Sequence, residues 1–242
     1  MTDRQARHTA TAIVAATALL VAALCLWRMF TPREPHVEVD RTRYPVCGID
    51  ISRHNGTVDF DSVAAAGIEF VYIKASEGTS HRDISYRRNR QGAAEAGLPV
   101  GAYHFFRFEC DGRRQALNFL SAISGTDPEL PLAIDIEEWG NPAEVATDIV
   151  VERLIAMRAV LANAGYRTVV YTNKNGYRRF VEADDAELWI CSFTEPPLPH
   201  GRWRLWQHSH CGSVPGICGE VDLNTFNGTR ADFRAWLNVP IH

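Results

Sequence analysis

The sequence lacks the features that announce a nucleic-acid partner. Its formal net charge is −4, and no block of Lys and Arg runs along it, whereas phosphate binding needs a basic face. No segment repeats at solenoid periods. No Gly-x-Gly-x-x-Gly or Gly-x-x-x-x-Gly-Lys-Ser/Thr run is present, so the phosphate cradle of a nucleotide fold is missing. No Cys-x-x-Cys pair occurs, and the spacings of the 6 cysteines and 9 histidines match no zinc motif. Neither a metal nor a cofactor is expected, and the chain is expected to act as a monomer. What is there is ordinary globular composition, 46% hydrophobic and 22% charged over 242 residues, with enough apolar material for a sizeable core.

Charge is also absent from one stretch near the N-terminus. After Arg4 and Arg7, the run "TATAIVAATALLVAALCLW" carries none until Arg28. Roughly 18 to 20 such residues can cross a bilayer as a helix. No Ala-x-Ala precedes the polar part, so residues 9–30 are expected to be an uncleaved signal anchor behind a short cytoplasmic segment, 1–8. The following domain would then be extracytoplasmic, or secreted if the segment is cleaved. Arg28, Arg33, Arg41 and Arg43 on the far side leave the orientation rule without a decision. Residues 31–46, polar and carrying Pro32, Pro35 and Pro45, read as a linker. Residues 47–242 suit one domain. If that domain is exported, "CGSVPGIC" suggests a disulfide across a turn between Cys211 and Cys218.

Eight short β-rich runs recur, at 46–52, 69–76, 99–106, 131–137, 167–172, 188–193, 203–208 and 220–226. Helix candidates lie at Phe60–Ala66, Tyr86–Ala96, Arg113–Ser124 and Ala143–Ala164. Gly67, Gly97 and Gly165 stand where helix C-caps are expected. The alternation predicts an α/β fold of parallel βαβ units, a modified TIM-like β/α barrel that is irregular, with fewer helices, in its C-terminal half. A doubly wound open sheet is the structural alternative.

The acids are the informative residues. Side chains alternate along a strand. In "PLAIDIEEW", Ile134 and Ile136 therefore share one face, and Asp135 and Glu137 the other. "GIDIS" repeats the pattern with Asp50, and "EVDLNTF" with Asp222 and Asn224. Each acid is expected near a strand's C-terminal end, where barrel active sites assemble. Glu138 should point away, as a loop or cap residue. An all-carboxylate cluster could hold Mg²⁺ or Ca²⁺. Tyr72, Tyr103, Phe105, Tyr171, Trp189 and Trp206 on the same strands instead suggest a sugar cleft, two or three of them lining it. Paired carboxylates in different environments are what glycosidic cleavage needs.

These segments, together with "GIDISRHNGTVDFDSVAAAGIEFVYIKASEG", "AGLPVGAYHFF" and "LWQHSHCGSVPGICGEVDLNTFNG", resemble glycoside hydrolase family 25, the Chalaropsis-type N-acetylmuramidases. The resemblance runs from Cys47 to Gly228. It implies a lysozyme that hydrolyses the β-1,4 bond between N-acetylmuramic acid and N-acetylglucosamine in peptidoglycan glycan strands. Glu137 would be the general acid/base, and Asp135 would assist the substrate's 2-acetamido group or act as a direct nucleophile. Asp50 and Asp222 would tune the cleft, and Tyr103, Tyr171, Trp206 and Gln207 would contact sugar. Lys74 and Glu77 fit a structural ion pair equally well. A non-catalytic peptidoglycan-binding barrel and a hydrolase of another acetamido-sugar polymer are the alternatives.

Overall fold

The computed structural model describes residues 37–183, 185–194 and 202–239. The expected anchor, the segment before it and residues 31–36 of the linker lie outside that range. Among the described residues no helix is long and apolar enough to cross a membrane. The described end of the linker does not trail free. Val39, Tyr44 and Val46 are buried in the core, and Val37 N–H donates to the His208 carbonyl at 3.2 Å.

The chain alternates strands and helices as far as β6. The order is β1 (Cys47–Ile51), α1 (Phe60–Ala65), β2 (Phe70–Glu77), β3 (His81–Arg82), α2 (Tyr86–Glu95), β4 (Val100–Phe105), α3 (Gly112–Ile123), β5 (Leu132–Asp135), α4 (Thr147–Asn163) and β6 (Thr168–Asn173). A short helical segment over 174–181 leads to β7 (Glu187–Cys191), β8 (Trp203–Gly212), β9 (Val221–Phe226) and α5 (Arg230–Leu237). Local chemistry sets these limits. Asp111 caps α3 by accepting from Arg114 N–H at 2.9 Å. Gly97 and Gly165 follow α2 and α4 with φ of 75° and 84°, the left-handed turn that an L side chain resists.

Eight strands close into a barrel in the order β1-β2-β4-β5-β6-β7-β8-β9, with β9 returning to β1 and the two-residue β3 added beside β2. Neighbours are parallel from β1 round to β8, and β9 is antiparallel to both of its neighbours. The reason is the connection. Parallel strands need a crossover, and the 213–220 loop carries no helix, so the chain doubles back. The fold is the irregular β/α barrel expected, and among the described residues no full helix lies between β6 and β9.

Two apolar layers result. Ile49, Ile134, Ile136 and Val170 pack outward against Phe119 of α3 and Val150 and Leu154 of α4. Inside, Phe70, Tyr72, Ala133, Val169, Trp189, Leu205 and Phe226 fill the barrel, and Phe233 and Trp236 of α5 pack against them. The rings need glycine opposite them. A Cβ at Gly48 would lie 2.3 Å from the Phe70 ring, and one at Gly101 2.3 Å from Tyr72.

The expected Cys211–Cys218 disulfide is not formed. The loop between them is drawn onto α1, where Asp59 N–H donates to the Gly216 carbonyl at 2.9 Å, and Val214 is buried in the outer core. Cys218 is left exposed, while Cys211 Sγ sits 3.5 Å from Ser209 Oγ.

Candidate active site

The barrel mouth gathers the acids. Asp50 lies near the end of β1, Asp135 closes β5, and Glu137 follows two residues on. Asp222 arrives differently from the expectation. It is the second residue of β9, not near its end, and reaches the same rim because β9 runs antiparallel. The β1–β9 register sets Asp50 directly opposite Asp222, and paired residues of an antiparallel ladder share a face. The strand end at β5 is held firmly: Phe106 N–H donates to the Asp135 carbonyl at 2.8 Å, and Ile136 N–H to the Tyr171 carbonyl at 2.9 Å.

The acids lie in a groove of two lobes. The first, about 420 Å³, includes Asp50, Lys74, Tyr103, Asp135 and Arg107 in its lining. The second, about 900 Å³, is walled by Asn173, Lys174, Cys191, Ser192, Phe193 and His210. Both volumes lie in the range of small-molecule sites. Glu137, Trp139, Tyr171, Gln207 and Asp222 line both lobes. Asp135 lines the first alone.

A hydrogen-bonded chain fixes the floor. Tyr171 O–H donates to Gln207 Oε1 at 2.7 Å, and Gln207 Nε2 donates to Asp50 Oδ2 at 2.9 Å. Asn224 Nδ2 donates to the same oxygen at 2.7 Å, and is itself oriented by Trp189 Nε1–H donating to its Oδ1 at 2.8 Å. Burial pushes Asp50 up, while the amides of Asn224 and Gln207 and the Asp222 hydroxyl pull it back. Asp222 is pushed up to about 9 by burial and by the charge and hydrogen bond of Asp50. We therefore place the charge on Asp50 and the shared proton on Asp222.

The second pair is tuned differently. Burial and the Asp50 charge raise Glu137 to about 7, against the opposing pull of Lys74. Asp135 is held well above the usual carboxylate range, first by burial and then by the Glu137 charge. Its Oδ1 is buried and has no hydrogen-bond partner among the described residues. Among the described residues no group of three His, Cys, Asp or Glu is placed to hold a metal ion.

Of the aromatic set, Tyr103, Phe105, Tyr171 and Trp189 line the first lobe, more than the two or three expected. Tyr72 lies deeper, its O–H donating to the Pro131 carbonyl at 3.0 Å. Trp206 does not reach the groove. Adjacent strand residues face opposite ways, so with Gln207 inward its ring is turned into the outer core, with Nε1–H on the Ser192 carbonyl at 2.8 Å. Lys74 and Glu77 form an ion pair at 2.9 Å on the groove wall. Glu138 pairs with Arg179 and accepts from Asn175 Nδ2 at 2.5 Å, so it braces the 174–181 segment and is no part of the acid pair.

Two residues carried no sequence signal. Trp139 is 79% exposed and stands over both lobes, the position of a stacking platform. Asn141 clamps the loop that carries Glu137: its Nδ2 donates to the Glu137 and Phe106 carbonyls, both at 2.9 Å, and its Oδ1 accepts from Phe108 N–H at 2.8 Å.

Comparison with known proteins agrees with this geometry. The family model described as glycosyl hydrolases family 25 matches residues 49–217. The chain is 35% identical over 183 residues to the autolytic lysozyme of Clostridium acetobutylicum, covering 74% of this chain and 55% of that protein. It is 39% identical over 203 residues to the N,O-diacetylmuramidase of a Chalaropsis species, covering 73% and 96%. A family 25 glycosyl hydrolase structure from Bacillus anthracis superposes with a TM-score of 0.77 at 28% identity, covering 85% of this chain and 99% of that one. A family model that matches 49–217, more than half of the chain, makes this chain a member of glycosyl hydrolase family 25.

Proposed function

We propose that the barrel is a muramidase that hydrolyses the β-1,4 bond between N-acetylmuramic acid and N-acetylglucosamine in peptidoglycan. The observation that carries this is the Asp135–Glu137 pair: two carboxyls on one face of one strand end, both raised, at the junction of a groove open to a polymer. The relatives named as lysozyme and muramidase support the choice of substrate.

The chemistry follows from where the protons sit. The Glu137 charge helps to raise Asp135, so the protons the two carboxyls hold belong to the pair rather than to either residue. A substrate acetamido N–H donating to the Asp135 carboxyl group, which lines the first lobe, favours the carboxylate there and leaves the proton on Glu137. Glu137 then gives that proton to the glycosidic oxygen as its bond to C1 breaks. The acetamido carbonyl oxygen bonds to C1, forming an oxazolinium whose N–H is held by the Asp135 carboxylate. Water adds to C1 in its place, and Glu137 takes the water proton, restoring its starting state with retained configuration. Asp135 lines only the first lobe, so the sugar bearing the reacting acetamido group lies there and the leaving group lies over the second.

Digestion of purified peptidoglycan tests the reading. Wild type is expected to release reducing ends at N-acetylmuramic acid with retained configuration, and Glu137→Gln to lose about 10²- to 10⁴-fold in kcat. No new reducing ends from wild type would mean a binding barrel, and ends at N-acetylglucosamine another polymer. An aspartyl adduct trapped on Asp135 would replace the acetamido step by direct attack.

The uncharged run from Thr9 to Trp27 and a substrate that lies outside the cytoplasm support an extracytoplasmic barrel tethered by residues 9–30. Protease access from outside intact cells, with the full-length chain retained in the membrane fraction, is the expected result.

A further inference from the structure

The first lobe is acidic at its floor and basic at its rim. Lys74 is paired with Glu77 at 2.9 Å, and Arg107 with Glu109 at 3.0 Å and Glu77 at 3.7 Å. Arg53 also lines this lobe, yet among the described residues its side chain has no carboxylate partner. Only its backbone is engaged, N–H donating to Asp83 Oδ2 at 3.0 Å. Asp83 is otherwise committed, its Oδ1 accepting from Ser85 N–H at 2.8 Å and Ser85 Oγ–H at 2.6 Å. The turn carrying Arg53 is rigid: Ser52 and Asn55 form a reciprocal cap around it. His54 and His81, both exposed, belong to the same lining.

We propose that Arg53, with His54 and His81 beside it, is a specificity site that binds a carboxylate carried on O3 of the sugar in the first lobe. The inference rests on the muramidase reading, because that reading sets muramic acid in this lobe. C3 neighbours C2, so a sugar whose acetamido group meets Asp135 sends its O3 substituent out of the ring beside that group, toward the rim. N-acetylglucosamine carries no substituent there, and muramic acid carries a lactyl carboxylate or the acidic stem peptide joined to it. A planar guanidinium matches a carboxylate in two parallel hydrogen bonds. Asp135 is buried and Glu137 half-buried, and two other carboxylates of the lining, Glu77 and Asp83, are engaged by Lys74 and by Arg53 N–H and Ser85.

The test uses soluble glycan strands in three forms: stripped of stems with free lactyl carboxylates, the same strands methylamidated with carbodiimide, and strands with stems intact. Wild type is expected to show a KM about fivefold higher on methylamidated than on carboxylate strands, with kcat changed less than KM. Arg53→Gln should bring that ratio toward one, and Arg53→Lys, which keeps the charge but not the paired hydrogen bonds, should keep only part of it. A wild-type ratio of one, or a ratio untouched by Arg53→Gln, overturns the inference. Stem-bearing strands that behave like carboxylate strands assign recognition to the stem, and strands that behave like the methylamidated form assign it to the lactyl group. Calorimetric binding of the first two probes to Glu137→Gln separates the two readings. If wild type cuts nothing but binding still discriminates, the muramidase reading falls and the rim stands. Equal binding of both overturns the rim alone.

Discussion

At the scale of single residues, the proposed catalysis turns on one proton. Glu137 held up to about 7 keeps its proton on about half of the molecules at neutrality, where an unperturbed Glu would have lost it almost completely. Its loss on the alkaline side gives the expected profile: kcat/KM flat or rising toward pH 7, then falling above it. Asp50 is the second cause of that raised value, after burial. Asp50→Asn removes a negative charge and should move the alkaline limb to lower pH, read from the pH profile of kcat/KM. An unmoved limb would mean that burial alone sets the acid. Tyr103 and Tyr171, pushed well above the ordinary phenol range by burial and the surrounding acids, remain neutral donors throughout this window.

At the scale of elements, α5 works as a stopper. Phe233 packs on Phe70 with ring centres 5.4 Å apart, and Trp236 on Phe226 at 5.4 Å, while Trp236 Nε1–H donates to Glu187 at 3.0 Å. Trp236→Ala should cost about 3 to 5 kcal/mol in urea unfolding. It should leave the kcat of the folded fraction unchanged, because the groove opens at the other end. This helix was the element least legible in the sequence. Its short run "RADFRAWL" buries only Phe233 and Trp236, too few apolar positions for a periodic stripe. The eight barrel strands were legible because alternation and β-branched residues mark them without tertiary help. The direction of β9 was not, since antiparallel return depends on a connection rather than on composition. Asp50, Asp135, Glu137 and Asp222 could be found because buried acids in apolar strands have no cheap structural explanation. Trp206 was misread and Trp139 unseen for one reason. An aromatic side chain fits a core or a sugar face equally well, and only parity or exposure separates the two.

At the scale of the whole molecule, the acid cluster opposes stability. Asp135, Glu137 and Asp222 all have folded values raised above those of a free chain. The folded state therefore keeps protons that the unfolded state releases, so stability falls once pH rises above the free carboxylate range of about 4, and the fall ends near 7 for Glu137 and near 9 for Asp222. Tm should fall steadily across that range, and Asp222→Asn should flatten the fall, both measurable by calorimetry. The stopper has another consequence. A barrel closed at its base cannot be threaded, so a chain of any length must lie across its mouth with both ends outside. A groove that holds a strand in this way is expected to cut it in its interior. Early digests should show average length collapsing while disaccharides are still scarce, a distribution that size-exclusion chromatography resolves.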